Sequence, residues 1–151
     1  MGVLHTYLPF ATLYVVYLSI DTFMQNKKIF IVDDDSFLLD MYALKFSQSG
    51  YEVTTALGAL PALEKLRTGF IPDLILSDIV MPVVDGFEFM EKMNAEHLAP
   101  NAMRIVLSNR GQEADIDRAK ELGAIGYIVK AATTPAEVIT QVAAIIAKVK
   151  A

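Results

Sequence analysis

From Met24 onward, five short apolar runs alternate with stretches whose apolar residues recur at helical spacing. The runs are Lys28–Val32, Tyr51–Thr55, Leu74–Ser77, Met103–Leu107 and Gly126–Val129. Their length and β-branched content predict strands. Between and after them the spacing predicts helices over Ser36–Ser49, Leu60–Thr68, Phe87–Ala95, Glu113–Leu122 and Pro135–Val149. Their ends are marked by local chemistry. Ser36 is read as an N-cap and Gly50 as the residue that ends the first helix. Pro61 is tolerated in a first turn. Thr134-Pro135-Ala136-Glu137 combines an N-cap, a proline at the first helical position and a glutamate at the third. Strands this uniformly apolar are buried on both faces, so five βα units predict an α/β fold: a parallel sheet with helices on both sides.

The polar residues that end these runs carry the candidate chemistry. IFIV stops at Asp33-Asp34-Asp35, LIL at Ser77-Asp78, IVL at Ser108 and YIV at Lys130. In a parallel sheet the residues just past the strand ends gather at one edge. Adjacent carboxylates repel unless a cation or solvent relieves them, and a hard ion such as Mg²⁺ prefers such oxygens. Asp78 follows a buried strand, where a carboxylate adds little stability unless it ligates metal or reacts. A carboxylate can attack phosphorus to give an aspartyl phosphate. Such attack depends on charge neutralisation, which a metal and a lysine can supply. Taken singly, a strand-end lysine is ordinarily solvated and a strand-end serine ordinarily caps a helix. Together the four positions form a set suited to phosphoryl chemistry.

Composition narrows the alternatives. A net charge of −5 and an isoelectric point near 4.9 argue against direct nucleic-acid binding. The chain has no cysteine, which removes thiol catalysis and disulfides and suits a cytoplasmic setting. His5 and His97 are its only histidines, so neither a histidine-rich zinc site nor a Ser-His-Asp triad is expected. Val3–Ile20 carries no acid, lysine or arginine, and its length is near the roughly 18 residues that suggest a membrane span. Pro9 interrupts it, and its tyrosines are spread along the run. Residues 1–23 are therefore read as an apolar extension ahead of a start at Met24, with a membrane anchor as the lesser option. Residues 24–151 form the folded domain.

From Lys28 to Val149 the chain resembles the receiver domain of the bacterial two-component response regulators. The resemblance is carried by IFIVDDD, by DLILSDIVMPVVDG with its D-x-x-M-P-x-x-D-G spacing, by IVLS and by GYIVK, in the family's order. It implies a flavodoxin-like (CheY-like) five-stranded parallel sheet in the order 2-1-3-4-5. It also implies a phosphoacceptor at Asp78 and Mg²⁺ bound by Asp34 directly, by Asp33 through water, and by Asp78 and the Val80 carbonyl. Ser108 corresponds to the switch hydroxyl, Lys130 to the lysine that pairs with the phosphoryl group, and Tyr127 to the aromatic that moves with the switch. The implied donor is a histidine kinase or phosphotransfer protein. Phosphorylation would shift the surface formed by the fourth helix, fifth strand and fifth helix, where a downstream protein or a second copy of the chain would bind. A stand-alone domain, without an output domain, is expected.

The chain departs from the family pattern at two points. Asn109 stands where a small residue is usual, and Ala131 where proline is usual, which questions a cis peptide after Lys130. By the resemblance, Val80 and Arg110 sit where the family tunes phosphoryl lifetime, and Arg110 is expected to reach over the site. Two rivals are weaker. A haloacid-dehalogenase-type phosphatase would use Asp33-x-Asp35, Ser108 and Lys130, but no acidic pair follows Lys130 and Asp78 goes unexplained. An unphosphorylated interaction module would not need the full acid, serine and lysine set.

Overall fold

Each β1 side chain packs on the opposite side of the sheet from the next, and this alternation builds two of the main cores. The structure, a computed structural model, describes residues 26–150 and, ahead of them, Ala11 alone. The expectations for residues 1–23 lie outside the described residues. The order is β1 (Lys28–Asp33), α1 (Ser36–Gln48), β2 (Glu52–Leu57), α2 (Ala59–Arg67), β3 (Leu74–Ser77), α3 (Gly86–Ala95), β4 (Met103–Ser108), α4 (Glu113–Glu121), β5 (Gly126–Val129) and α5 (Pro135–Lys150). All strand pairings are parallel, in the order β2-β1-β3-β4-β5 that the family resemblance implied.

On β1, Ile29 and Ile31 pack with Leu39, Tyr42 and Phe46 of α1 and Val138, Val142 and Ile146 of α5. Phe30 and Val32 point the other way, onto Ala62, Leu63 and Leu66 of α2 and Phe89 and Met93 of α3. A third cluster of Ile79, Phe87, Met90, Val106 and Ala119 seats α3 and α4. Each fully buried side chain of this size contributes about 1.5–3 kcal/mol, so the two-sided burial fixes the strand register. Among the described residues no helix is long and apolar enough to cross a membrane.

Three local expectations are corrected. The N-cap of α1 is Asp35, whose Oδ1 accepts the Leu38 N–H at 3.1 Å, and Ser36 is the first helical residue. β2 begins at Glu52 and runs to Leu57, two residues beyond the expected end, because it pairs with β1 as far as Asp33. Tyr51, expected in that strand, instead packs edge-on against Phe46 at the end of α1. The start of α5 follows the sequence reading. Thr134 Oγ1 accepts the Glu137 N–H, and Glu137 Oε2 accepts the Thr134 N–H.

Candidate functional site

The order of strands reverses beside β1, and the crevice at the carboxyl ends of β1, β3 and β5 holds the acids and the lysine. Asp33 is the last residue of β1, Asp78 follows β3 directly, and Lys130 follows β5. Lys130 Nζ donates to Asp33 Oδ2 at 2.5 Å and to Asp78 Oδ2 at 2.8 Å. All three side chains are buried, whereas Asp34 is exposed at the rim. The second oxygen of each buried carboxylate is held by backbone. Asp78 Oδ1 accepts from the Ile79 and Val80 amides at 2.6 and 3.1 Å, and Asp33 Oδ1 from Asp35 N at 3.0 Å.

Carboxylate oxygens of Asp33, Asp34 and Asp78 lie within 4.8 Å of one another. They face a pocket of about 290 Å³ walled also by Val80, Asn109 and Lys130. Burial raises the pKa of Asp33 above the usual carboxylate value, against the Lys130 hydrogen bond that lowers it. Burial also works against the charge on Lys130, but the hydrogen bonds to Asp33 and Asp78 outweigh it and raise its pKa. Lys130 therefore stays an ammonium. Three carboxylates against one ammonium leave a negative excess that a small, hard dication is suited to offset.

The loop after β3 is built to hold Asp78 in place. Asp85 caps α3 by accepting the Glu88 N–H at 2.8 Å, and Gly86 N donates to Ile79 O at 2.8 Å. A Cβ on Gly86 would overlap the Asp78 carbonyl oxygen and lie 2.7 Å from Ile79 Cα. Only glycine lets the start of α3 approach the Asp78 backbone this closely.

The remaining sequence-derived residues divide. Ser108, the last residue of β4, is fully buried, and its Oγ accepts the Arg110 N–H at 3.3 Å. The residue of this loop that lines the pocket is Asn109. Tyr127 is half-buried and donates its hydroxyl to the Arg110 carbonyl; burial raises its pKa, and the nearby Asp115 charge adds to this. Arg110 was expected to reach over the site and does not. Its guanidinium is taken by Asp115 of α4, with Nη2 and Nε at 2.7 and 3.1 Å from the carboxylate oxygens. After Lys130 the described chain has no cis peptide; Lys130–Ala132 forms one 3₁₀ turn, tied back by Thr133 Oγ1 to Val129 O at 2.8 Å. Gly86 and Asp115 were not singled out from sequence. Gly86 lay in plain view within the D-x-x-M-P-x-x-D-G spacing, whereas nothing marked Asp115.

Together these features define a doubly wound α/β domain with an acidic, lysine-bridged crevice at the carboxyl ends of its strands. A sequence model of the response regulator receiver domain matches residues 29–143, and the chain belongs to that family. Similar curated proteins include the sporulation initiation phosphotransferase F of Bacillus subtilis, 34% identical over 71% of this chain and 84% of its own length. The chemotaxis protein CheY of Thermotoga maritima is 35% identical over 70% of this chain and 86% of its own length. The alkaline phosphatase synthesis regulator PhoP of B. subtilis is 35% identical over 80% of this chain. The chain spans about half the length of that regulator (49%) and of the Escherichia coli regulator CreB (54%). Among solved structures, Vibrio cholerae CheY4 superposes with a TM-score of 0.72 at 28% identity, covering 80% of this chain and 98% of that one. A CheY-like receiver domain from Methanospirillum hungatei gives 0.69 at 30% identity, covering 78% and 91%.

Proposed function

We propose that this receiver domain accepts a phosphoryl group on Asp78 from a phosphohistidine of a histidine kinase or phosphotransfer protein, and signals through the change that follows. The observation that carries this reading is the Lys130 bridge between Asp33 and Asp78, beside Asp34 in one open pocket. In the transfer an Asp78 carboxylate oxygen attacks phosphorus, the O–P bond forms, the N–P bond of the donor breaks, and the imidazole leaves. Asp33, Asp34 and Asp78, with the Val80 carbonyl, would hold Mg²⁺, which when bound neutralises phosphoryl charge. Lys130 would release Asp78 and pair with a phosphoryl oxygen. Ser108 would donate its hydroxyl to another.

The matches to the sporulation phosphotransferase and to CheY across most of their lengths support a stand-alone format. A groove of about 450 Å³ between α4, β5 and α5, lined by Ile116, Ile125, Tyr127 and Val149, supports readout by a protein partner at that surface. Beryllofluoride, which mimics an aspartyl phosphate, tests the reading. With Mg²⁺ it should shift amide resonances around Asp78, Ser108 and Tyr127 in the wild type and leave Asp78→Asn unchanged. A haloacid-dehalogenase-type phosphatase would instead turn over a generic phosphate ester and lose that activity with Asp33→Asn.

A further inference from the structure

Arg110 ties three elements together. Its amide N–H is given to Ser108 Oγ at the end of β4, and its carbonyl accepts the Tyr127 hydroxyl from β5. Its guanidinium is gripped through two nitrogens by Asp115, in the first turn of α4. Asp115 is itself only 6% exposed, so the fork closes over a carboxylate shielded from water. Both ends of this network reach the groove described above. Tyr127 lines it, and Ile116, the next residue after Asp115, lines it too. Meanwhile Ser108 is fully buried with an oxygen lone pair engaged, and Asn109 stands in the pocket wall.

We propose that Asp115, acting through Arg110, is a positioning residue that latches Ser108 and the β4–α4 loop in the unphosphorylated arrangement and thereby sets how readily phosphorylation switches the domain. The inference rests on the phosphoacceptor reading of Asp78. Ser108 is fully buried and does not line the pocket. For its hydroxyl to reach a phosphoryl group there, it has to move away from the Arg110 amide that now donates to it, and the β4–α4 loop has to shift with it. A bidentate fork to a buried carboxylate resists that shift, because opening it leaves Asp115 without its charge-assisted bonds. Coupling is reciprocal, so a partner seated in the groove against Tyr127 and Ile116 changes phosphoryl affinity by the same factor. The latch joins the two sites through contacts seen here, with no motion of the sheet required.

The test is a beryllofluoride titration of the full chain with Mg²⁺, followed by the Arg110 and Ser108 amide resonances. Asp115→Asn keeps the shape of the side chain and removes its charge, and Arg110→Gln opens the fork from the other side. Each should tighten apparent beryllofluoride affinity by about 5-fold, the lower end of typical coupling between sites. The double variant should gain no more than either single one, because both remove one latch. In the free protein, each should speed hydrogen exchange of the Arg110 amide. An unchanged or weakened affinity in both single variants overturns the latch while the wild-type response still upholds Asp78 as acceptor. Gains that multiply in the double variant also overturn it. If the wild type itself fails to respond, the acceptor reading falls and the latch falls with it. Should Asp115→Asn fail to fold, Arg110→Gln decides alone, since its guanidinium is half-exposed.

Discussion

Gly86→Ala offers a sharp perturbation of the site that touches no charged group. The added methyl would sit 2.7 Å from Ile79 Cα, whereas ordinary contacts begin near 3.4 Å, and it would overlap the Asp78 carbonyl oxygen more severely still. Both obstacles are backbone, and the closer one, the Asp78 carbonyl oxygen, sets the minimum, so the chain has to open by about 1.2 Å between the start of α3 and the end of β3. Overpacking of this kind costs about 1–3 kcal/mol, and a rigid backbone on both sides places this case near the top of that range. For a domain of this size a loss of about 3 kcal/mol lowers Tm by roughly 10 °C, leaving it folded at room temperature. Asp78 moves with the opened backbone, and a displacement approaching 1 Å at a reacting group costs on the order of 10²-fold in rate. Urea unfolding measures the first effect and acetyl phosphate labelling with Mg²⁺ measures the second. Gly69→Ala is the control. Its φ of +94° carries strain, but nothing lies within 4 Å of the new Cβ, so its cost should stay near 1 kcal/mol with the labelling rate unchanged. If Gly86→Ala matches wild type in both assays, the close approach of α3 to the Asp78 backbone does not position that carboxylate.

Three further outcomes follow from the same geometry. Asp78→Asn leaves Lys130 facing Asp33 one to one, so without Mg²⁺ it should stabilise the fold by about 1 kcal/mol in urea, and added Mg²⁺ should stabilise it less than wild type. Burial raises the pKa values of Tyr42 and Tyr127, and Lys130 is raised because its two hydrogen bonds outweigh burial. The folded chain thus keeps protons that the unfolded chain releases. Stability should be full below pH 10.0 and fall as pH rises through the folded values; Tyr42→Phe should make the fall in Tm shallower. Val83 is β-branched, 86% exposed and at φ 69°, in a tight turn closed by the Val84 N–H on Pro82 O at 2.8 Å. Val83→Asn should relieve part of the 1–2 kcal/mol typical of that conformation and raise the urea midpoint, whereas an unchanged or lowered midpoint would show that the loop carries no such strain.

How much was legible in the sequence depended on whether burial or a single polar bond decided the matter. β3 begins and ends where its apolar run does, because it lies between β1 and β4 with all four residues buried. β2 sits at the edge, where Thr54 and Thr55 are only partly covered or exposed. Its limits are set by pairing with β1, which hydropathy does not report. The cap of α1 slipped by one residue because Asp35 and Ser36 are both good caps and one hydrogen bond to Leu38 N chooses between them. At the site, topology alone was enough to bring Asp33, Asp34, Asp78 and Lys130 into one crevice. The partner of Arg110 was not legible. Asp115 lies across a loop and a helix start, a separation that no periodicity couples, so an arginine read as covering the pocket is in fact bound to α4.

The central claim is that Asp78 is the atom-level destination of the phosphoryl group. It is tested most directly by labelling the chain with acetyl phosphate and Mg²⁺, trapping the acyl phosphate by borohydride reduction, and mapping the product by peptide mass spectrometry. The account predicts a single reduced residue at position 78, with none in Asp78→Asn. Reduction at Asp33, Asp34 or another carboxylate in the wild type, or no trapped product at all, would contradict it.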